Sequence, residues 1–165
     1  MMQSLTFMTL KFSWQEARQC IKIILKSNAL QMSQAHQIRI PVSPGELIDK
    51  ITILSIKKDR IVNPNKLHYI VNEIESFSEI LDLIKVLLDS YDFYFDRLKG
   101  INQQLWDIED DLRAKEASQC FDKEFIEKAR LVYKLNDKRA ALKLEINQIL
   151  GSNIAEQKQH PSYNI

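Results

Sequence analysis

From Leu47 to Leu150 the apolar positions of the chain recur mostly every three or four residues, a spacing that predicts helices. In the first stretch Leu47, Ile48, Ile51, Ile53, Leu54 and Ile56 cover most of a helical circumference, so this helix is expected to be largely buried. Its start is marked by Ser43-Pro44-Gly45-Glu46. This is a capping box, in which the Ser43 hydroxyl accepts from the Glu46 N–H and the Glu46 carboxylate reaches back to the Ser43 N–H. Pro44 takes the first helical position, where a missing N–H costs nothing. The helix is expected to run to about Ile61. A short extended lead-in over 37–42 precedes it, and Pro41 keeps that segment out of any central strand.

Three more helices follow from the same periodicity. Asn63-Pro64-Asn65 breaks the chain, with Asn65 as the expected N-cap. The second helix then runs from Lys66 to about Leu88, with a seam at Leu67, Ile70, Ile74, Phe77, Leu81, Ile84 and Leu88 that steps like a coiled coil. Tyr91 to Phe95 is aromatic and either continues this helix or turns it over. The third helix spans about Phe93 to Ala117, with a seam at Tyr94, Leu98, Ile101, Leu105, Ile108 and Leu112. Gly100 lies inside it and could mark a close helix approach. Asp122 can cap the fourth helix, which ends near Leu150 at Gly151. The expected fold is all-α: a helical bundle, or long antiparallel helices with coiled-coil-like seams and extra helices packed on them. The domain spans 38–151. Residues 152–165 form a polar tail expected to fray unless Tyr163 docks.

Composition agrees with this picture and narrows it. Only three Gly and four Pro occur in 165 residues, few enough to leave little room for turns. The charge is balanced, 23 Lys+Arg against 22 Asp+Glu, which argues against a nucleic-acid footprint. No apolar run is long enough for a transmembrane helix. Cys20 and Cys120 have neither metal nor redox spacing and suit a reducing cytoplasm. Residues 1–37 differ in kind. Lys11, Arg18, Lys22 and Lys26 face Glu16 alone, and Ile21, Ile23, Ile24 and Leu25 give a short amphipathic stretch. Three readings stay open for this segment: a genuine extension, a membrane-surface helix, or an over-called start with the true start near Met32.

Polar residues on interior faces are the candidate chemistry. On the fourth helix the inward stripe of Phe125, Ala129 and Val132 continues into Asn136, Arg139, Lys143 and Asn147. On the third, Asn102, Glu109 and Arg113 lie beside the seam. On the first, Lys50 and Lys57 fall inside the apolar arc, either snorkelling to water or meeting carboxylates or a ligand. The candidate cluster is Lys50, Lys57, Asn102, Glu109, Arg113, Asn136, Arg139 and Lys143. It reads in two ways. One is a self-satisfied network that fixes helix register. The other is a basic pocket holding a carboxylate or phosphate. No catalytic residue, cofactor or metal site is expected: there is no Glu-x-x-His pair, no Gly-rich phosphate loop and no nucleophile elbow. His36, His68 and His160 lack ligand spacing. Trp106 and the tyrosines at helical spacing read as core.

The stretches I-P-V-S-P-G-E-L-I-D-K-I-T-I-L (40–54), L-W-D-I-E-D-D-L-R (105–113), F-D-K-E-F-I (121–126) and V-Y-K-L-N-D-K-R-A-A-L-K (132–143) resemble a bacterial family known only as a domain of unknown function. The resemblance covers about 38–162. It implies a small helical protein with no assigned activity, in the company of cell-surface glycan or glycosyltransferase systems. Residues 48–60 also resemble the first helix of helical chorismate mutases, which hold a dicarboxylate between basic side chains inside a bundle. The arginine that those enzymes place upstream of the Ile-Asp pair is missing here, because the capping box occupies its position. The expected function is therefore a cytoplasmic, non-enzymatic interaction or structural module with a protein partner or self-association. The alternative is a small anion-binding protein or enzyme.

Overall fold

The computed structural model describes residues 38–159, and within them a compact unit begins at Val42. It contains α1 (Pro44–Arg60), α2 (Pro64–Glu75), α3 (Ser78–Leu87), α4 (Tyr91–Ala117) and α5 (Lys123–Ile149). No strand occurs among the described residues. The expected second helix is two helices, α2 and α3. At their junction the Ser76 hydroxyl donates to the Glu73 carbonyl and the Ser78 hydroxyl to the Glu75 carbonyl, while the Phe77 N–H takes the Ile74 carbonyl. Serine hydroxyls that bond back to nearby carbonyls compete with the helical ladder, and the i→i−3 bond tightens the last turn and ends it. Asn63, not Asn65, caps α2: its side chain accepts from the N–H groups of Asn65 and Lys66. The proline explains the shift, because Pro64 at the first helical position drives Asn63 into the extended conformation that a cap needs.

The two 27-residue helices α4 and α5 form an antiparallel hairpin. Tyr94 bonds Glu145, Asn102 bonds Arg139, and Asp111 pairs with Lys128, so positions rise along one helix as they fall along the other. Asp122 starts α5 as expected, its carboxylate accepting from the Phe125 N–H at 2.9 Å and from Lys115. Gly151 ends it at φ 62°. The Ser152 N–H donates to the Asn147 carbonyl and the Gly151 N–H to the Gln148 carbonyl, a Schellman pattern that suits glycine in the left-handed region.

Helix α1 packs against α4, α5 and α2. The core joins Leu47, Ile48 and Ile51 of α1 to Ile84, Leu88, Tyr91, Tyr94 and Leu98, and to Leu142 and Ile146 of α5. Of the seams expected to be coiled-coil-like, Phe77, Leu81, Ile84, Leu88, Tyr94, Leu98 and Ile101 join or pack against this core. Ile70, Ile84, Leu88, Tyr94, Leu98 and Leu105 are buried, and the other seam residues are partly so. The far end of the hairpin is different. No residue from 106 to 134 is fully buried, and Lys115 and Lys128 tie the two helices together through Asp111, Asp122 and Glu124.

The first turn of α1 sits directly on α5. The Gly45 N–H donates to the Asn147 side-chain oxygen at 2.8 Å, and a Cβ on Gly45 would overlap the Lys143 backbone carbonyl. Gly100, expected to mark a close approach, has nothing within 4 Å of such a Cβ. The two glycines therefore predict opposite outcomes. Gly100→Ala raises stability by about 1 kcal/mol, the helix-propensity difference. Gly45→Ala lowers it by about 1–3 kcal/mol, the usual cost of overpacking. Urea titration of both variants checks this pair.

Acid stability follows from the caps and ion pairs. The hydrogen bond from the Phe125 N–H and then that from Lys115 pull the Asp122 pKa from 3.8 down to about 2. The carboxylate thus contributes stability above its ordinary pKa, and that contribution is lost as pH falls through about 2. Asp107, Glu124 and Glu156 are also lowered, each by hydrogen bonds from basic partners. Asp122→Asn keeps a capping side chain but removes one titration. Its Tm should fall less steeply than the parent's between about pH 4 and pH 2, as followed by circular dichroism.

Candidate functional site

The eight candidate residues do not meet in one place. Four of them do: Asn102, Glu109, Arg113 and Arg139 line a single cleft of about 220 Å³ together with Ile53, Ile56, Leu105, Trp106 and Asp110. Lys50 lies outside it. Its side chain is 52% exposed and pairs with Glu73 of α2 at 2.7 Å. Lys57 is half-buried and is not part of the cleft lining. Asn136 donates to the Val132 carbonyl of its own helix. Lys143 is buried and is held by Glu46 and Glu156 at 2.7 and 2.9 Å.

Glu46 shows why the capping box is only half made. Ser43 Oγ accepts from the Glu46 N–H at 3.3 Å, but the Glu46 carboxylate goes to Lys143 instead of reaching back. Burial lowers the Lys143 pKa, but the hydrogen bonds to Glu46 and Glu156 and the negative charges of Glu46 and Asp49 together outweigh it, and the net shift is upward. A buried ammonium is retained only when carboxylates compensate its lost hydration. Glu156 belongs to the segment expected to fray, and it is engaged in this pair.

The floor of the cleft is a polar knot. Asn102 is 4% exposed. Its amide donates to Asp49 Oδ1 at 2.7 Å and to Thr52 Oγ1 at 2.9 Å, and its carbonyl oxygen accepts from Arg139 at 3.1 Å. The Thr52 hydroxyl donates to the Asp49 backbone carbonyl at 2.7 Å. Both amide protons and the carbonyl oxygen of Asn102 are thus engaged, which fixes its orientation. Asp49 and Thr52 were missed as site residues because their polarity places them outside an apolar arc. The signal that could have found them is the stripe Gly45, Asp49, Thr52 and Ile56, which keeps helical spacing and is buried throughout.

The rim is made by α4. Arg113 is 66% exposed and pairs with Glu109 and Asp110 at 2.8 Å each. Trp106, expected in the core, is half-buried and forms part of the wall. Helix α1 ends at Arg60, whose guanidinium lies 5.6 Å from the Trp106 ring centroid while it pairs with Asp107, so the indole stands at the edge of the α1 contact. The charge count differs from the expected basic surplus. Lys50, Arg113 and Lys143 each have carboxylate partners.

A second feature lies on α3. It turns Leu81 and Ile84 to the core, as does Leu88 just past its end, and leaves Ile80, Leu83, Val86 and Leu87 exposed by 42, 51, 76 and 59%. No group of three or more His, Cys, Asp or Glu able to hold a metal occurs among the described residues. In the same residues no helix is long and apolar enough to cross a membrane. The model of a family of unknown function, DUF6165, matches residues 38–164.

The chain belongs to that family. No curated protein and no solved structure matches it. The DUF6165 match spans all five helices, so both the cleft and the α3 face lie inside the family region. The readings that residues 5–30 bind membranes, that translation starts at Met32 and that Tyr163 docks fall outside the described residues.

The knot makes one energetic prediction. Asn102→Ala leaves the buried Asp49 carboxylate without its Asn102 donor and should lower stability by about 1.5–3 kcal/mol, the range for a lost hydrogen bond to a charged group. Asn102→Ala combined with Asp49→Ala should cost less than the sum of the two single changes, as a double-mutant cycle by urea denaturation measures.

Proposed function

We propose that this protein is a non-enzymatic interaction module that docks a basic amphipathic helix of a partner protein onto α3. The observation that supports this most directly is the apolar outer face of α3. Ile80, Leu83 and Leu87 recur at helical spacing with Val86 beside them, on a face that adjoins the seam already used by the core. A helix apolar over so wide an arc belongs in a buried setting, and exposed apolar faces of this kind mark interaction surfaces. Charge selects the occupant. Glu75, Glu79, Asp82, Asp89 and Asp92 lie in or beside α3 against Lys85 alone. None of these carboxylates has an ion pair among the described residues, whereas Lys85 lies over the Tyr91 ring. Packing the same face of a second copy here would set carboxylates against carboxylates. A helix carrying lysines or arginines beside its apolar stripe complements both features. A bacterial cytoplasm is the setting of this proposal. The cell-surface glycan systems suggested by the family resemblance are where the partner is to be sought.

A synthetic peptide of leucine and lysine at amphipathic helical spacing probes the face directly. It should bind the full chain in a salt-sensitive way, while a leucine and glutamate peptide of the same pattern should not. Leu83→Asp with Leu87→Asp should abolish binding and leave the Tm close to the parent value, since both side chains are more than half exposed. Absence of binding, or binding that survives the double substitution, overturns the proposal. A dimer of the chain that the same substitutions dissociate would transfer the face to a second copy and also overturn it.

A further inference from the structure

The guanidinium of Arg139 is the one feature of the cleft that its neighbours do not neutralise. It is half-buried. Its hydrogen bond goes to the neutral oxygen of Asn102, and among the described residues no carboxylate lies within ion-pair distance of it. No buried side-chain nitrogen or oxygen lacks a partner there either. The remaining N–H groups of Arg139 are therefore accessible to solvent. The cation is also held in place. Asn102 fixes one of its nitrogens, and Asn102 is itself locked by Asp49 and Thr52. A fixed guanidinium with free donors is prepared for a carboxylate, whose two oxygens match its fork.

The rest of the lining restricts what else the ligand carries. Ile53, Ile56, Leu105 and Trp106 offer apolar and aromatic surface, which favours a flat hydrocarbon body. Glu109 and Asp110 stand on the rim with Arg113 between them, so the lining other than Arg139 carries one net negative charge. A second anionic group on the ligand would meet those carboxylates. The volume of about 220 Å³ exceeds the roughly 150 Å³ in which a benzene ring is accommodated in a protein core. A ring with one carboxylate therefore fits.

We propose that this cleft binds a small planar monocarboxylate, with the carboxylate on Arg139 and the ring against Trp106 between Ile53, Ile56 and Leu105. The site discriminates by charge number. A ring without the carboxylate leaves the guanidinium unmatched, and a dicarboxylate or a phosphate dianion is opposed by Glu109 and Asp110. This site is independent of the α3 face, and the two readings can fail separately.

The test uses the full chain labelled with ¹⁵N, titrated with benzoate, benzamide, phthalate and inorganic phosphate. The Trp106 indole and the Arg139 side-chain Nε–H are followed, and Trp14→Phe distinguishes the two indoles. Benzoate should shift both signals saturably with a Kd of roughly millimolar order. Benzamide, phthalate and phosphate should each bind at least about tenfold more weakly, the ratio expected for losing or opposing one charge-assisted contact. Arg139→Gln, which can still donate to Asn102, should lose the benzoate response while keeping the dispersed spectrum of a folded chain. No saturable shift with benzoate up to about 20 mM overturns the proposal. So does an equal response to benzamide, phthalate or phosphate, or a benzoate response that persists in Arg139→Gln. If Arg139→Gln loses spectral dispersion, the ratio of the four ligands on the unsubstituted chain decides alone.

Discussion

The contact between the first turn of α1 and the backbone of α5 is the constraint on which the other contacts rest. Gly45 admits the Lys143 carbonyl because it has no side chain, and Asn147 satisfies the Gly45 N–H that this close approach would otherwise strand. With α1 seated at that depth, Asp49 and Thr52 reach Asn102 on α4, and Asn102 reaches Arg139 on α5. Three helices are thereby registered by one buried amide. The same seating brings Lys143 within reach of Glu46, so a cation is buried where a carboxylate from α1 and another from beyond α5 can compensate it.

Much of this was legible in the residue pattern, and the failures have physical causes. The seams of α2 to α4 and the caps at Ser43, Asp122 and Gly151 were readable because apolar spacing and capping chemistry are local. The break between α2 and α3 was hidden by Phe77, which keeps the apolar period and still packs against the core while its flanking serines interrupt the ladder. Asn63 lost the cap to Asn65 on paper because the proline between them was treated as a breaker, when it is also a good first residue. The candidate site was half legible. A helical wheel ranks faces by hydrophobicity, so it placed Lys50 inward and left Asp49 and Thr52 out of the cluster. The structure exposes Lys50 and buries Asp49 and Thr52, because Gly45 brings the Asp49 and Thr52 side of α1 against α4 and α5, and the amide of Asn102 makes that polar side buriable.

The distribution of charge separates what the fold consumes from what it leaves for other molecules. Most basic side chains close to the core are matched with carboxylates, several of which are shifted downward by their partners. These pairs close on themselves and hold the hairpin, the cap and the C-terminal segment. Among the described residues, the Arg139 guanidinium in its partly apolar cleft and the carboxylates around the exposed α3 face have no ion pair. They are opposite in sign and lie on different elements, and the proposed small anion and the proposed cationic partner draw on them separately.

The bonds that seat α1 join residues 97 and 102 positions apart. During synthesis, which proceeds from the N-terminal end, α1 emerges before the other described helices, and α5 is the last of them. Until α5 has been made, Ile48, Ile56 and the buried face around Asp49 have no groove to enter. Contacts of such long sequence separation are slow to form. The helix that organises the finished molecule therefore spends the longest time without its place in it, and that interval is when the nascent chain is most dependent on protection from other apolar surfaces.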